Sequence, residues 1–132
     1  MIAIAPDGRT IAAVSAAGTL CLYPVAGGPP RQAPGAALGD LPLRWSEDGK
    51  ALYVAQTGEQ GVVIDKLDLS TGRKQRWKEI AIPDAAGVVD SMTGEPLRRG
   101  GFFRLFLTGD GKGAVYSYTR MLSQLYLADG LR

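Results

Sequence analysis

Five residues of this sequence are the best candidates for contact with a ligand or partner. They are the adjacent pair Arg44 and Trp45, the adjacent pair Arg98 and Arg99, and Arg120. The first pair ends an apolar segment, and the second pair lies in a long irregular segment punctuated by glycine and proline. Long segments of this kind in compact domains often carry function. These residues predict binding to an unidentified protein or small ligand.

Catalytic and metal chemistry has much weaker support in the sequence. The chain contains no histidine, which removes Ser-His-Asp constellations, Cys-His nucleophile pairs and histidine-bearing metal sites. Its single cysteine, Cys21, lies between two leucines, so it is predicted to be a small buried apolar residue. We therefore expect no catalytic residue, no metal, no cofactor and no enzymatic activity.

Two further patterns resemble chemical motifs without the context that the chemistry needs. Gly109–Ala114 fits the glycine spacing of a dinucleotide-binding loop, but a strand pattern follows it where that loop requires a helix. Asp7, Asp48 and Asp110 occupy equivalent positions in three separate repeats. We expect these aspartates to lie apart from one another, so they do not predict a catalytic carboxylate pair.

The element that positions all of these residues is a short turn that occurs three times. Each copy joins two apolar runs through an Asp-Gly dipeptide, which favours a β-hairpin because glycine adopts positive φ and aspartate bonds nearby backbone N–H groups. Glu47 and Gly109 replace the proline found in the first copy, Pro6. The predicted structural turn residues are Asp7, Gly8, Asp48, Gly49, Asp110 and Gly111.

The turns organise the chain into three repeats of one antiparallel meander, with four, four and three strands. We place the repeats at residues 1–35, 41–80 and 102–132, with an irregular insertion at 81–101. Gly8 and Gly49 are 41 positions apart, within the ~40–45 residue period of propeller blades. The apolar second strands predict burial on both faces, as between neighbouring blades. The predicted fold is all-β: a single partial β-propeller of about three blades.

The fourth strand of the second repeat carries a basic face in this prediction. Lys74, Arg76 and Lys78 share one side of a regular strand, and Trp77 lies on the other. This face is either a solvated surface or an anion-binding patch. The ten aromatic residues are mostly within strands, so we expect them to pack in the core. Trp45, with its neighbour Arg44, is the exception. These two residues lie on the first strand of the second repeat, and the first, innermost strand of a blade lines the central channel of a propeller.

Composition limits the classes of partner. A net charge of +2 gives no strong attraction to nucleic acid, and no segment approaches the ~18–20 apolar residues of a membrane span. We therefore expect no nucleic-acid partner and no direct membrane insertion.

The repeats resemble the TolB-type (WD40-like PD40) propeller family. The resemblance rests on 5–9 with 11–14, on 20–25 with Gly27-Gly28, and on the ending 114–131. That ending is similar to the C-terminal tail of propellers that follow a serine/threonine kinase domain in some soil bacteria. The resemblance implies a non-catalytic interaction module, or alternatively an extracytoplasmic sensor domain of a membrane-anchored kinase. A propeller-type enzyme is the weakest alternative. Localisation outside the cytoplasmic membrane is implied by the resemblance alone.

Three blades do not close a propeller, which typically has 4–8. Two faces of the terminal blades would stay open, and large apolar patches are unusual on monomers. We therefore expect either that further blades belong to the ring in a longer protein or that two copies of this chain associate.

Overall fold

The computed structural model describes residues 1–58, 61–81, 88–89, 104–117 and 119–120, and all their regular elements are β-strands. The first sheet is an antiparallel meander whose strands pair in chain order, as predicted for the first repeat. Its strands are β1 (Ile2–Ile4), β2 (Thr10–Val14), β3 (Leu20–Pro24) and β4 (Arg31–Gln32). β4 is the short outer edge strand that the surrounding prolines favour.

The second sheet repeats this order with longer strands. Its strands are β5 (Leu41–Trp45), β6 (Ala51–Gly58), β7 (Gly61–Asp68) and β8 (Lys74–Ala81). β5 lies beside β1 of the first sheet, so the first strands of consecutive repeats are neighbours. This is the relation between successive blades of a propeller.

Two further ladders have two strands each. β10 (Arg104–Leu107) and β11 (Ala114–Ser117) flank the third Asp-Gly turn, and β10 also lies beside β5. β9 (Val88–Val89) pairs with β12 (Thr119–Arg120), so the segment predicted as an irregular insertion contributes a short strand. The third strand predicted for the last repeat, 124–127, lies outside the described residues.

The predicted fold class is confirmed: the described chain is all-β, and its repeats form open antiparallel sheets of four, four and two strands. The described part of the chain contains no helix of the length and hydropathy that a membrane span requires.

The apolar core forms two layers, one on each side of the second sheet. The first layer joins the first two sheets, and its largest members include Leu20, Leu22, Trp45, Leu52 and Leu67. The second layer joins the second sheet to β10 and includes Val62, Ile64, Ile80 and Leu105. Burial on both faces is therefore correct for β6, the second strand of the second repeat.

The same prediction is wrong for the second strands of the other two repeats. In β2 only Ala12 is fully buried, and in β11 Val115 is 64% exposed. Cys21, predicted to be buried, is half-buried. The reason is the same in each case, because each of these strands has a described neighbouring sheet on one side only.

One junction between the first two repeats depends on glycine. Gly35 has φ 72°, and a Cβ at this position would overlap the carbonyl oxygen of Gly72 in the β7–β8 turn. A side chain there would meet both backbone strain and a backbone clash. This approach places the chain that leaves the first sheet directly against the outer turn of the second.

Candidate functional site

The three Asp-Gly turns have nearly identical backbone geometry. In each, glycine has positive φ (68° at Gly8, 68° at Gly49 and 65° at Gly111), and its N–H donates to the carbonyl three residues earlier. The aspartate Oδ1 accepts the backbone N–H two residues on, from Arg9 at 2.9 Å in the first turn. The predicted turn residues therefore occupy turns in the structure.

The second and third turns contain a hydroxyl that the first turn lacks. Ser46 Oγ donates to Asp48 Oδ1 at 2.6 Å, and Thr108 Oγ1 donates to Asp110 Oδ1 at 2.5 Å. The corresponding position of the first turn is Ala5. Each hydroxyl also accepts a backbone N–H from the far end of its loop, Ala51 in the second turn and Gly113 in the third, so it joins both ends of the hairpin loop.

These hydrogen bonds lower the pKa of two turn carboxylates. The Ser46 hydroxyl and then the Lys50 N–H lower the pKa of Asp48, and the Thr108 hydroxyl and the Lys112 N–H do the same for Asp110. A hydrogen bond to the charged form stabilises it. Asp68, in the β7–β8 turn, accepts from the Ser70 hydroxyl and two backbone N–H groups, which lower its pKa to about 2.

Arg44 connects the second repeat to the third. Its Nη1 donates to the carbonyl oxygen of Thr108, the first residue of the third turn, at 2.6 Å. Its positive charge also contributes to lowering the pKa of Asp110. Arg44 therefore already has a structural partner, and its role in binding a ligand stays a prediction.

Trp45 faces the opposite direction, toward the first repeat. It is only 6% exposed, and its indole Nε1 donates to the carbonyl oxygen of Ala3 at 3.1 Å. A buried indole needs a partner of this kind for its N–H. Contact between Trp45 and a ligand stays a prediction, and the structure places most of its surface in the core.

The remaining predicted contact residues are not brought together with this pair by the described structure. Arg98 and Arg99 lie outside the described residues. The backbone of Arg120 pairs with Val88 in the short β9–β12 ladder, and its side chain is not among the described ones.

Two clefts separate successive Asp-Gly turns. The first cleft, about 610 Å³, lies between the first and second turns, and its charged lining residues are Asp7, Arg31, Glu47, Asp48 and Lys50. The second cleft, about 330 Å³, lies between the second and third turns and is lined by Arg44, Glu47, Lys66 and Asp110 among others. Trp45 contributes to the walls of both. Two of the predicted contact residues thus border real concavities.

A buried ion pair is the polar feature that sequence reasoning missed. Asp40 is 0% exposed, and its Oδ2 accepts the Ala37 N–H at 2.7 Å and pairs with Lys74 Nζ at 2.5 Å. Its Oδ1 is buried without a hydrogen-bond partner in the described structure. A single aspartate in a connector carries no sequence signal for burial, because its partner is 34 positions away.

The predicted basic face of β8 is interrupted by a β-bulge. The register with β7 shifts between Ile64 and Asp65, and this shift leaves Trp77 as the extra residue. Arg76 pairs with Asp65 at 2.8 Å, while Trp77 packs edge-on against Tyr53, with ring centroids 5.7 Å apart. Strict alternation of Lys74, Arg76 and Lys78 on one side is therefore wrong, because a bulge shifts the alternation by one residue.

No group of three or more histidine, cysteine, aspartate or glutamate residues in the described part of the chain could hold a metal ion. Comparison of the chain with protein-family models and with curated proteins finds no match.

Proposed function

We propose that this chain is a non-catalytic interaction module that binds a protein segment across its Asp-Gly turns. The observation that carries the proposal is the pair of clefts between three equivalent turns. Because the turns are copies of one unit, they lie in a row along one end of the sheets, and the clefts between them differ in volume and in charged lining. Loops held by a rigid β scaffold are common binding positions.

The charges of the first cleft favour a polar partner of mixed charge. Acidic and basic side chains line it together, and among the described residues none of its charged groups takes part in an ion pair. Glu47, Asp48 and Lys50 are exposed to solvent. Complementary charges on a partner would pair with these groups and determine its orientation.

The pKa shifts of the turn carboxylates support a non-catalytic role. A carboxyl group that serves as a general acid near neutral pH needs a raised pKa. The hydrogen bonds of Ser46 and Thr108 have the opposite effect on Asp48 and Asp110, whose pKa values are lowered. The lowered pKa values keep both aspartates ionised at neutral pH, where they accept the hydrogen bonds of their turns. The kinase-linked sensor implied by the resemblance stays a prediction.

The proposal can be tested with a displayed library of random linear peptides selected on the intact chain. We expect enriched peptides whose affinity falls at least about tenfold for Glu47→Lys, because this residue borders both clefts. The matched control is Glu79→Lys, which makes the same charge change on the outer strand at a residue whose side chain is 66% exposed. Its affinity should equal that of the original protein.

Two results would contradict the proposal. One is equal loss of affinity in the two variants, which would indicate a general charge effect. The other is the absence of any enriched peptide from a library that yields ligands for a control protein.

A further inference from the structure

The first sheet has an open apolar side, opposite the side that the second sheet covers. Directly paired residues of antiparallel strands share a face, and the ladder of β1, β2 and β3 assigns six residues to this side. Pairing with Cys21 adds the exposed Gln32 of the short edge strand β4. None of the six is charged: Ile2, Ile4, Ile11, Ala13, Cys21 and Tyr23. Ile2 and Ile4 are 63% and 60% exposed, and the other four are half-buried. We call these six residues the front face.

The internal repeat shows what a front face packs against. Aligning Gly8 with Gly49 matches the residues that flank the first turn with those that flank the second. The equivalent pairs are Ile4 with Trp45, Ile11 with Leu52, and Ala13 with Val54. In the second sheet these positions are 6%, 0% and 1% exposed, because they pack on the first sheet. The front face of the first sheet is therefore a second copy of a docking surface that the molecule already uses.

The surface that receives a front face can be identified in the same way. Within the first sheet, Ala3 and Ala12 face the second sheet and are 6% and 0% exposed. Aligning Gly8 with Gly111 places Phe106 on Ala3 and Val115 on Ala12. Phe106 and Val115 are direct cross-strand partners, and they are 62% and 64% exposed. We call this pair the back face.

Alternation within the last repeat supports the assignment. Leu105, Leu107 and Ala114 belong to the core layer against the second sheet. Phe106 and Val115 alternate with them, so they point to the other side of the ladder. The described chain thus has a front face at one end of its row of sheets and a back face at the other end.

We propose that two copies of this chain associate head to tail, with the back face of each copy on the front face of the other. Side-chain sizes match this pairing. In the internal interface the small Ala3 receives the large Trp45. At the proposed interface the larger Phe106 would meet the smaller Ile4, so the combined volume is similar. Well-packed interfaces need this kind of compensation between partners.

The arrangement of the three repeats in a row indicates how many copies would associate. A head-to-tail contact uses two different surfaces, so it produces a ring if the rotation closes and an open filament if it does not. Two copies with three repeats each would give about six blades, within the range of known propellers. Both open faces of both copies would then be covered. The inference does not depend on what the Asp-Gly turns bind.

Sedimentation velocity over a concentration series tests the proposal. We expect the original protein to have twice the monomer mass of 14.0 kDa. Ile4→Arg and Phe106→Arg each place a charge in one of the two surfaces, so each should raise the Kd at least about tenfold. Both residues are more than half exposed in the single chain, so the variants should keep the urea midpoint and far-UV spectrum of the folded monomer.

A mixing experiment separates a head-to-tail contact from a symmetric one. An equimolar mixture of Ile4→Arg and Phe106→Arg retains one undamaged front face and one undamaged back face, so the double mass should reappear. Leu38→Arg is the matched control, because Leu38 is 76% exposed in the connector and belongs to neither face.

Three outcomes would overturn the proposal. The first is an original protein that stays monomeric throughout the series. The second is a Phe106→Arg variant that associates normally while Ile4→Arg does not, which would indicate a symmetric contact between front faces. The third is a mixture that stays monomeric. None of these outcomes affects the peptide-binding proposal, whose readout is the affinity for the selected ligands.

Discussion

The first and second sheets are copies of one four-stranded repeat, yet they differ in how much of each is buried. The second sheet packs on both sides, and Leu52, Ile64 and Leu67 are all 0% exposed. The first sheet packs on one side, and on its other side Ile2 and Ile4 are more than half exposed. The same turn and similar apolar runs therefore give a sheet that is covered on both sides in one repeat and on one side only in the other.

The difference extends to the length of the strands. In the second sheet three strands have eight residues each, whereas no strand of the first sheet is longer than five. Longer strands bury more apolar surface only when a neighbour covers them. The comparison shows that the sequence of a repeat specifies its antiparallel meander. The neighbouring sheets determine how much of that meander's apolar surface is buried, and so how much packing stabilises it.

The largest expected effect concerns the ion pair where the first repeat leads into the second. Lys74→Met would leave Asp40 buried at 0% exposure without its cation, and we expect a loss of about 3–5 kcal/mol of unfolding free energy. Urea denaturation at neutral pH measures it. Arg76→Met on the same strand removes two ion pairs, with Asp65 and Glu79, of an arginine side chain that is 57% exposed, and should cost about 1 kcal/mol or less. Equal losses in the two variants would show that the junction is not specially dependent on Asp40.

The next largest loss of unfolding free energy is expected at a position that is equivalent in the two sheets, Leu52 in the second and Ile11 in the first. Leu52→Ala empties a fully buried site between the sheets and should cost about 2–5 kcal/mol. Ile11→Ala changes the corresponding residue of the front face, which is half-buried, and should cost about 1 kcal/mol. Urea midpoints of the dilute monomer provide the measurement. A cost for Ile11→Ala as large as that for Leu52→Ala would mean that the front face is covered within the single chain.

The smallest expected effect is a shift of the urea midpoint when a turn serine is removed, Ser46 in the second sheet or, as a control, Ser15 in the first. Ser46 lowers the pKa of Asp48 in the folded protein, so ionised Asp48 contributes stability above its ordinary pKa of 3.8. This contribution is lost as the pH falls through the lower folded pKa. Ser46→Ala should therefore shift the urea midpoint downward more at pH 6 than in strong acid.

The matched control for this prediction is Ser15→Ala in the β2–β3 turn. Ser15 accepts the Thr19 N–H at 3.3 Å, and no carboxylate hydrogen-bonds to it in the described structure. Its removal should shift the midpoint by a similar amount at all pH values. A shift for Ser46→Ala that is likewise independent of pH would mean that the hydroxyl stabilises only the backbone of its turn.

Some features of the candidate site followed from local sequence. Asp7-Gly8, Asp48-Gly49 and Asp110-Gly111 occupy turns, and Arg44 and Trp45 border the clefts between those turns. Their partners were not predictable. Arg44 bonds a carbonyl 64 positions away and Trp45 one 42 positions away, in opposite directions. The bulge at Trp77 and the burial of Asp40 also carry no local signal.

The sequence by itself determined the repeated hairpins, the all-β class and the order of strands within each sheet. These follow from glycine φ, from aspartate hydrogen bonds to nearby N–H groups, and from apolar runs, all of which act over a few residues. Only the tertiary structure decided which side of each sheet is covered, because burial depends on the position of a neighbouring sheet. That is why equivalent residues such as Ile11 and Leu52 have different surroundings in one chain.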